Sequence, residues 1–405
     1  MELIELPIGN LFVGLSLRYT LCDGSGKLLL AKGQKIESRP QLEAIKARQH
    51  VYIEMDQTGE AERMMMSGLT ALDRAGAPIK DFSRFLNIKQ TAAEEKKTGT
   101  VVQRWGDLES NLAGALAGVK NTHDFGSRIG MLERQISELL AENANGAQFL
   151  LFNRAVTHFG DYSVLHSLLC ATLVNMLSGQ FGLTEDQRRS LVCAALTMNV
   201  AMTQLQDQLA LQKSAPDVFQ RRSIENHAAD GKRKLEEVGV TDKDWLTIVA
   251  LHHVALGNTD GFSEWPVLKR MVKILQTVDR YTAAMSPRKS RAGRTARDSV
   301  RTVVIQDAAG TKHDEVGTAL VSVLGLCPPG SFVKLANGET AVVMRRGDKP
   351  AEPWVASVLN RQDQAIAEPS LRDTSREIFA VQTTLSATAV RVNLNLELML
   401  KLIPK

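Results

Sequence analysis

At 405 residues the chain is too long for one ordinary domain of roughly 100–200 residues, so two or three packed units are expected. Its hydrophobic fraction of 44% and charged fraction of 23% argue against wholesale disorder and against a membrane bundle. The net charge of +4 gives little general attraction for polyanions, so any phosphate or nucleic-acid contact must rest on a local cluster. Cys22, Cys170, Cys193 and Cys327 are scattered and form no C-x-x-C pair, which argues against a zinc knuckle and a dense disulfide framework. Glu2 and Glu5 stand where a signal peptide needs positive charge, and no apolar run looks close to the ~18 residues of a spanning helix. A cytoplasmic protein with no membrane partner is the expectation.

In chain order, the first segment reads as short strands at 11–13 and 15–17, then a turn at Asp23-Gly24-Ser25-Gly26 and a strand at 28–31, a hairpin pattern. From 38 to 49 the spacing becomes helical, with Leu42 and Ile45 on one face, and strand returns at 51–54. Residues 1–58 are therefore expected to form a small α+β module. Residues 59–130 are polar and weakly periodic, with the charged tract Glu94-Glu95-Lys96-Lys97, and read as a linker with some helix.

Helical signals dominate from 131 to 326. Thr184 and Gln187 have the spacing of a capping box, Leu183 precedes them as a staple, and the helix they open is expected to run through Asn199. Another opens over Thr241 to Asp244 and carries Trp245, Ile248, Val249 and His252. A third begins at Pro266 with the stripe Leu268, Met271, Val272, Leu275 and Val278. From 327 to 405 the texture turns to strand, with Asn337-Gly338 supplying the positive φ of a tight hairpin. The expected fold is mainly α, a helical bundle between a small N-terminal α+β module and a short C-terminal β module.

Five ionisable residues of the helical region lie on or beside stripes that otherwise look buried: His166, His227, His252, His253 and Asp279. Asp279 is the sharpest, four residues after Leu275 and eight after Met271. A carboxylate there needs a metal, a cation or several hydrogen bonds, because uncompensated desolvation costs several kcal/mol. On one helix the side chains of His252 and His253 would diverge by ~100°, so a single metal would not easily take both. A lone helical histidine is more often a satisfied core or surface residue than a ligand.

The order of these residues resembles the HD-GYP branch of the HD phosphohydrolases, known as phosphodiesterases of the bacterial messenger cyclic di-GMP. That family carries a helix histidine after a tyrosine-containing start, then HDxGK, HPxxG, HHExxDGxGYP and a D-x-x-D-A-L helix. This chain offers Tyr162-Ser-Val-Leu-His166, then Met198-Asn-Val-Ala-Met202, Asn226-His227-Ala-Ala-Asp-Gly231, His252-His253-Val254 with Asp260-Gly261 downstream, and Val278-Asp279-Arg-Tyr-Thr-Ala-Ala284. The N-terminal module and the β tail also look like those often found in the family, so the resemblance covers about three quarters of the chain. It implies an HD-type helical bundle, with His166, His227, His252, His253 and Asp279 as what is left of a metal site.

The departures fall on the centre of that site. In the family the His-Asp pair supplies ligands, its Asp bridging two metals, and the following Lys helps hold substrate phosphate. Here those positions are Met198, Asn199 and Met202. Asn keeps the shape of Asp without its charge, and a thioether is a poor partner for hard cations. The Glu after the paired histidines is Val254, and Asp260-Gly261-Phe262 is all that remains of DGxGYP. His123-Asp124 lies upstream of the first family helix and reads as incidental.

The resemblance therefore implies a degenerate member, a non-catalytic signalling or regulatory module with no confident catalytic residue. At most one divalent metal (Fe, Mn or Zn) is expected, and none bound tightly. Its partners would be cyclic di-GMP or another nucleotide, and a signalling protein. In the family, basic residues after the D-x-x-D-A-L helix lie near the phosphates, so within the basic cluster Arg288, Lys289, Arg291, Arg294, Arg297 and Arg301 the resemblance implies that Arg288 and Lys289 could hold an anionic ligand. Two alternatives remain: a live metal-dependent phosphodiesterase with a reduced metal site, and nucleic-acid binding through the 288–301 cluster. No interleaved aromatics support the latter.

Overall fold

The computed structural model describes residues 2–6, 20–24, 26–31, 34, 36, 38–48, 51–55, 99–119, 124–157, 160–256, 261–290, 293, 295, 298, 299 and 314–403. The chain divides into two compact units, residues 1–100 and 101–405. The strands expected at 11–13 and 15–17, His123, Asp260 and the cluster residues Arg291, Arg294, Arg297 and Arg301 lie outside the described residues.

In the first unit, β1 (Glu2–Leu6), β2 (Thr20–Asp23), β3 (Leu28–Leu30) and β4 (Val51–Met55) form an antiparallel sheet in the order β1-β4-β2-β3. The hairpin between β2 and β3 is held by Asp23, whose carboxylate accepts from the Lys27 amide at 3.1 Å. Helix α1 (Arg39–Lys46) is capped by the Ser38 hydroxyl and has Pro40 in its first turn, where a missing N–H costs nothing. Leu42 and Ile45 are buried on one face, as their spacing predicts.

The second unit is mainly helical. Helix α2 (Val101–Ala117) buries Trp105, Leu108 and Leu112, so the C-terminal part of the stretch read as linker contributes a helix to the core. Phe125–Thr157, α3, is two helices broken at Asn143, whose backbone leaves helical geometry while its side chain accepts from the Gly146 amide at 2.7 Å. Asn143 is thus the cap of the second half. There follow α4 (Tyr162–Ser178), α5 (Glu185–Thr197), α6 (Thr203–Leu211), α7 (Val218–Glu237), α8 (Lys243–Leu251), α9 (Val267–Met285) and α10 (Glu315–Leu324).

Both halves of the capping box of Thr184 and Gln187 are present, and Asp217 with Gln220 forms a second one at the start of α7. Helix α8 opens within the expected stretch, capped by Asp242, whose carboxylate accepts from the Trp245 amide at 2.9 Å. One boundary differs from the sequence expectation, the end of α5. Helix α5 ends at Thr197 rather than Asn199, since Val200 and Met202 donate to carbonyls three residues back and tighten the chain into turns.

Helix α4 is enclosed along almost its whole length, and its neighbours α3, α5 and α9 supply the wall. Its apolarity corrects one expectation. Tyr162–Phe181 is long and apolar enough by length and composition to cross a membrane, yet 72% of its most apolar window is buried inside the unit. Among α3, α4 and α5, Glu133 is buried and paired with Arg188 at 2.7 Å, and Asn175 donates to the nearby Ser137 hydroxyl.

After α10 the chain forms β5 (Phe332–Leu335), β6 (Thr340–Arg345), β7 (Trp354–Leu359), β8 (Ala365–Asp373) and β9 (Val381–Leu385), then the short helix α11 (Leu396–Lys401). The strands pair antiparallel in the order β8-β7-β6-β5-β9. Gly338, at φ 84°, makes the β5–β6 turn that the Asn-Gly pair predicts. One face of the sheet, with Phe332, Val342, Met344, Ala356 and Val358, joins the helical core; the other, with Val333, Leu335, Ala341, Val343 and Val355, forms a small core with Cys327. The chain reaches this sheet through Gly330 at φ 84°, so close to α3 that a Cβ there would lie 2.5 Å from the Asn153 amide nitrogen.

Candidate metal centre

Helix α7 brings His227 and the end of α8 brings His252 to a common point. Their Nε2 atoms are 3.1 Å apart. The Nδ1 atom of His252 is 2.6 Å from the Val249 carbonyl, and that of His227 is 2.5 Å from the Ile224 carbonyl. A carbonyl can only accept, so each Nδ1 carries the proton and each neutral Nε2 presents a bare lone pair. Two lone pairs facing at this distance repel unless a cation stands between them. Ligand nitrogens about 2.1 Å from one metal are about 3.0–3.4 Å apart at angles of 90–110°, so the spacing fits adjacent ligands of a single ion.

His253 joins the same group. One ligand atom from each of His227, His252 and His253 lies within 4.8 Å of the others. This corrects the expectation that adjacent histidines diverge too far to share a metal. Helix α8 ends at Leu251, so His252 is its cap and His253 lies in the turn that follows, where the two rings come together with centroids 4.2 Å apart. His227 and His252 are buried while His253 is exposed, which leaves the group open on one side. Burial holds the His252 imidazolium down to about 3, helped by the like charge of His253, and burial likewise lowers His227. Both are neutral at pH 7, the state a metal requires.

Asp279, on α9, meets His166, on α4: His166 Nε2 lies 2.8 Å from Asp279 Oδ1. The carboxylate on the apolar stripe therefore has a partner. Burial works against the imidazolium of His166, but the neighbouring Cys170 and Asp279 outweigh it and raise its pKa well above an ordinary histidine. Burial would raise Asp279, yet the hydrogen bond and charge of His166, with His252 and His253 beyond, bring it below the usual carboxylate range. Tyr162 stacks on the His166 ring, with centroids 5.7 Å apart and planes at 8°. Arg288 lies over the Tyr162 ring at 4.9 Å and donates to its hydroxyl at 2.9 Å. Lys289 is exposed, and its amide donates to the Ala210 carbonyl on α6 at 2.8 Å. Arg288 thus touches the tyrosine that stacks on His166.

Met198 and Asn199 are buried in the turn after α5. A Cβ on Gly231, one helical turn beyond His227 on α7, would lie 3.6 Å from the Met198 carbonyl, so this turn packs against α7. Met202 opens α6 without capping it through its side chain. Sequence reasoning missed one residue. Cys170 lies one turn after His166 on the same helix, with its Sγ 3.7 Å from His166 Nε2, and it forms a second potential ligand group with His166 and Asp279. The i, i+4 spacing from His166 was the available signal.

No protein-family profile and no curated protein sequence matches the chain. A solved structure similar to it is that of Bd1817, a HDG"Y"P protein from Bdellovibrio bacteriovorus, at 13% identity and a TM-score of 0.44, with 79% of this chain and 98% of that chain covered.

Proposed function

We propose that the chain is a regulatory module on an HD-GYP-type scaffold, one that keeps cation ligands but has lost the chemistry of two-metal phosphodiester hydrolysis. The observation that carries this reading is the neutral pair Met198-Asn199, buried in the turn after α5 that packs against α7, at the positions where the resemblance calls for a His-Asp pair. The facing lone pairs of His227 and His252, with His253 beside them, fit one divalent ion of the Fe, Mn or Zn class. Bound there, such an ion supplies positive charge and Lewis acidity. Hydrolysis needs more: an activated water and stabilised phosphoryl oxygens together. Asn199 and Met202 remove the charges that the family uses for both. Arg288, oriented by Tyr162, remains as a donor for the phosphate of cyclic di-GMP or another nucleotide, whose binding is then passed to a protein partner.

The reading is tested by turnover of a chromogenic phosphodiester with metal-loaded protein, before and after the double change Met198→His with Asn199→Asp. No turnover before the change, with cyclic di-GMP retained in equilibrium dialysis, is expected. Turnover by the unmodified protein that Asp279→Ala abolishes would establish a live hydrolase instead, a reading that the solvent-open side at His253 favours.

A further inference from the structure

We infer that Cys170 is a metal ligand, and that His166, Cys170 and Asp279 form a thiolate-bearing cation position beside the imidazole group; this rests on the proposed metal-holding role of the site. The three residues come from two helices, α4 and α9, and one ligand atom from each lies within 4.8 Å of the other two. Around a tetrahedral ion, a nitrogen at about 2.05 Å and a sulfur at about 2.3 Å are about 3.6 Å apart. The observed separation of His166 Nε2 and Cys170 Sγ is 3.7 Å. The carboxylate is already in place at 2.8 Å, and a cation entering between Asp279 and His166 would replace their hydrogen bond.

Charge argues in the same direction. Asn199 cannot supply the negative charge that its position holds in the resembling family. A thiolate and a carboxylate with one neutral imidazole balance a divalent cation, so Cys170 and Asp279 together supply that charge from another helix. On binding, the Sγ–H bond of Cys170 breaks and the sulfur lone pair forms one metal bond, while the Nε2–H that His166 directs at Asp279 breaks and frees that nitrogen lone pair for the other; both protons leave to solvent. A thiolate shifts preference toward zinc, cobalt and ferrous iron, and away from magnesium, calcium and manganese. Among the described residues, Cys170 is the one cysteine whose sulfur falls within a potential ligand group.

The test is X-ray absorption at the zinc edge on the full chain loaded with zinc, together with Co2+ titration followed by absorbance. A sulfur shell at about 2.3 Å and a near-ultraviolet sulfur-to-cobalt band are expected. Both should vanish in Cys170→Ser, which is nearly isosteric, and persist in Cys193→Ala. A sulfur shell that survives in Cys170→Ser, or one lost in Cys193→Ala, overturns the assignment. If the Cys170 variant does not fold, the shell in the unmodified chain and its persistence in Cys193→Ala still decide. Zinc bound through nitrogen and oxygen alone sinks the thiolate position and leaves the imidazole site standing, whereas no bound zinc sinks both.

Discussion

His227 and His252 face each other through Nε2 atoms 3.1 Å apart, while each turns its Nδ1 to a carbonyl three residues back in its own chain. The backbone thus fixes the tautomer of both rings and aims two acceptors at one point, the arrangement that second-shell hydrogen bonds give to metal-bound histidine. Added zinc should therefore raise the thermal midpoint of the protein. At a hundredfold excess over the dissociation constant, linkage gives about 2.7 kcal/mol. His227→Ala should abolish most of the shift, as read by calorimetry with and without zinc.

The same burial makes the metal-free protein sensitive to acid. His252 has its folded pKa at about 3, below the ordinary 6.5, so between these values the unfolded chain binds more protons and stability falls as pH falls. His227 acts in the same sense. The expected slope is about 1.4 kcal/mol per pH unit for each histidine fully within its window. His166 is raised, so its contribution is complete below 6.5 and is lost as pH climbs through its folded pKa. Stability of the metal-free protein should peak near pH 6.5. Urea midpoints across pH 4–9 check this, and His252→Gln should flatten the acid side.

Arg188 is the partner of Glu133, which is 1% exposed. Arg188→Met strands a buried carboxylate, at a cost of about 3–5 kcal/mol. Replacing both, Glu133→Gln with Arg188→Met, should recover much of that loss. A double-mutant cycle in urea with no coupling between the two sites would refute the pairing.

Gly330→Ala should destabilise the second unit by about 2–3 kcal/mol, because φ is 84° and the added Cβ would press on the Asn153 amide. Gly338→Ala, in an open turn at the same φ, has only the conformational strain and should cost less. Denaturant midpoints for the two variants give the comparison.

Much of the architecture was legible in the sequence because it rests on local chemistry. The capping box at Thr184, the Asn337-Gly338 turn and the stripe of α9 all depend on residues a few positions apart, and each is present. The convergence of His227, His252 and His253 was not legible, since it depends on how α7 packs against the end of α8. Cys170 was missed for another reason. Its partner Asp279 lies more than a hundred residues away, and a buried cysteine on an apolar helix looks like packing until α9 places a carboxylate beside His166. Asp279 itself was read correctly as needing a partner, but which one required the tertiary structure.

The C-terminal sheet carries a practical consequence for anyone dividing this chain. Phe332, Val342, Met344, Ala356 and Val358 belong to the same core as α3 and α4, so residues 327–405 are a wall of the helical unit and no appendage. A fragment ending at residue 326, the natural cut by sequence texture, would bare one flank of its core to water and should come out of cells as insoluble protein. Fragments beginning near residue 101 and keeping the sheet should remain in solution, and fractionated lysates would show the contrast directly.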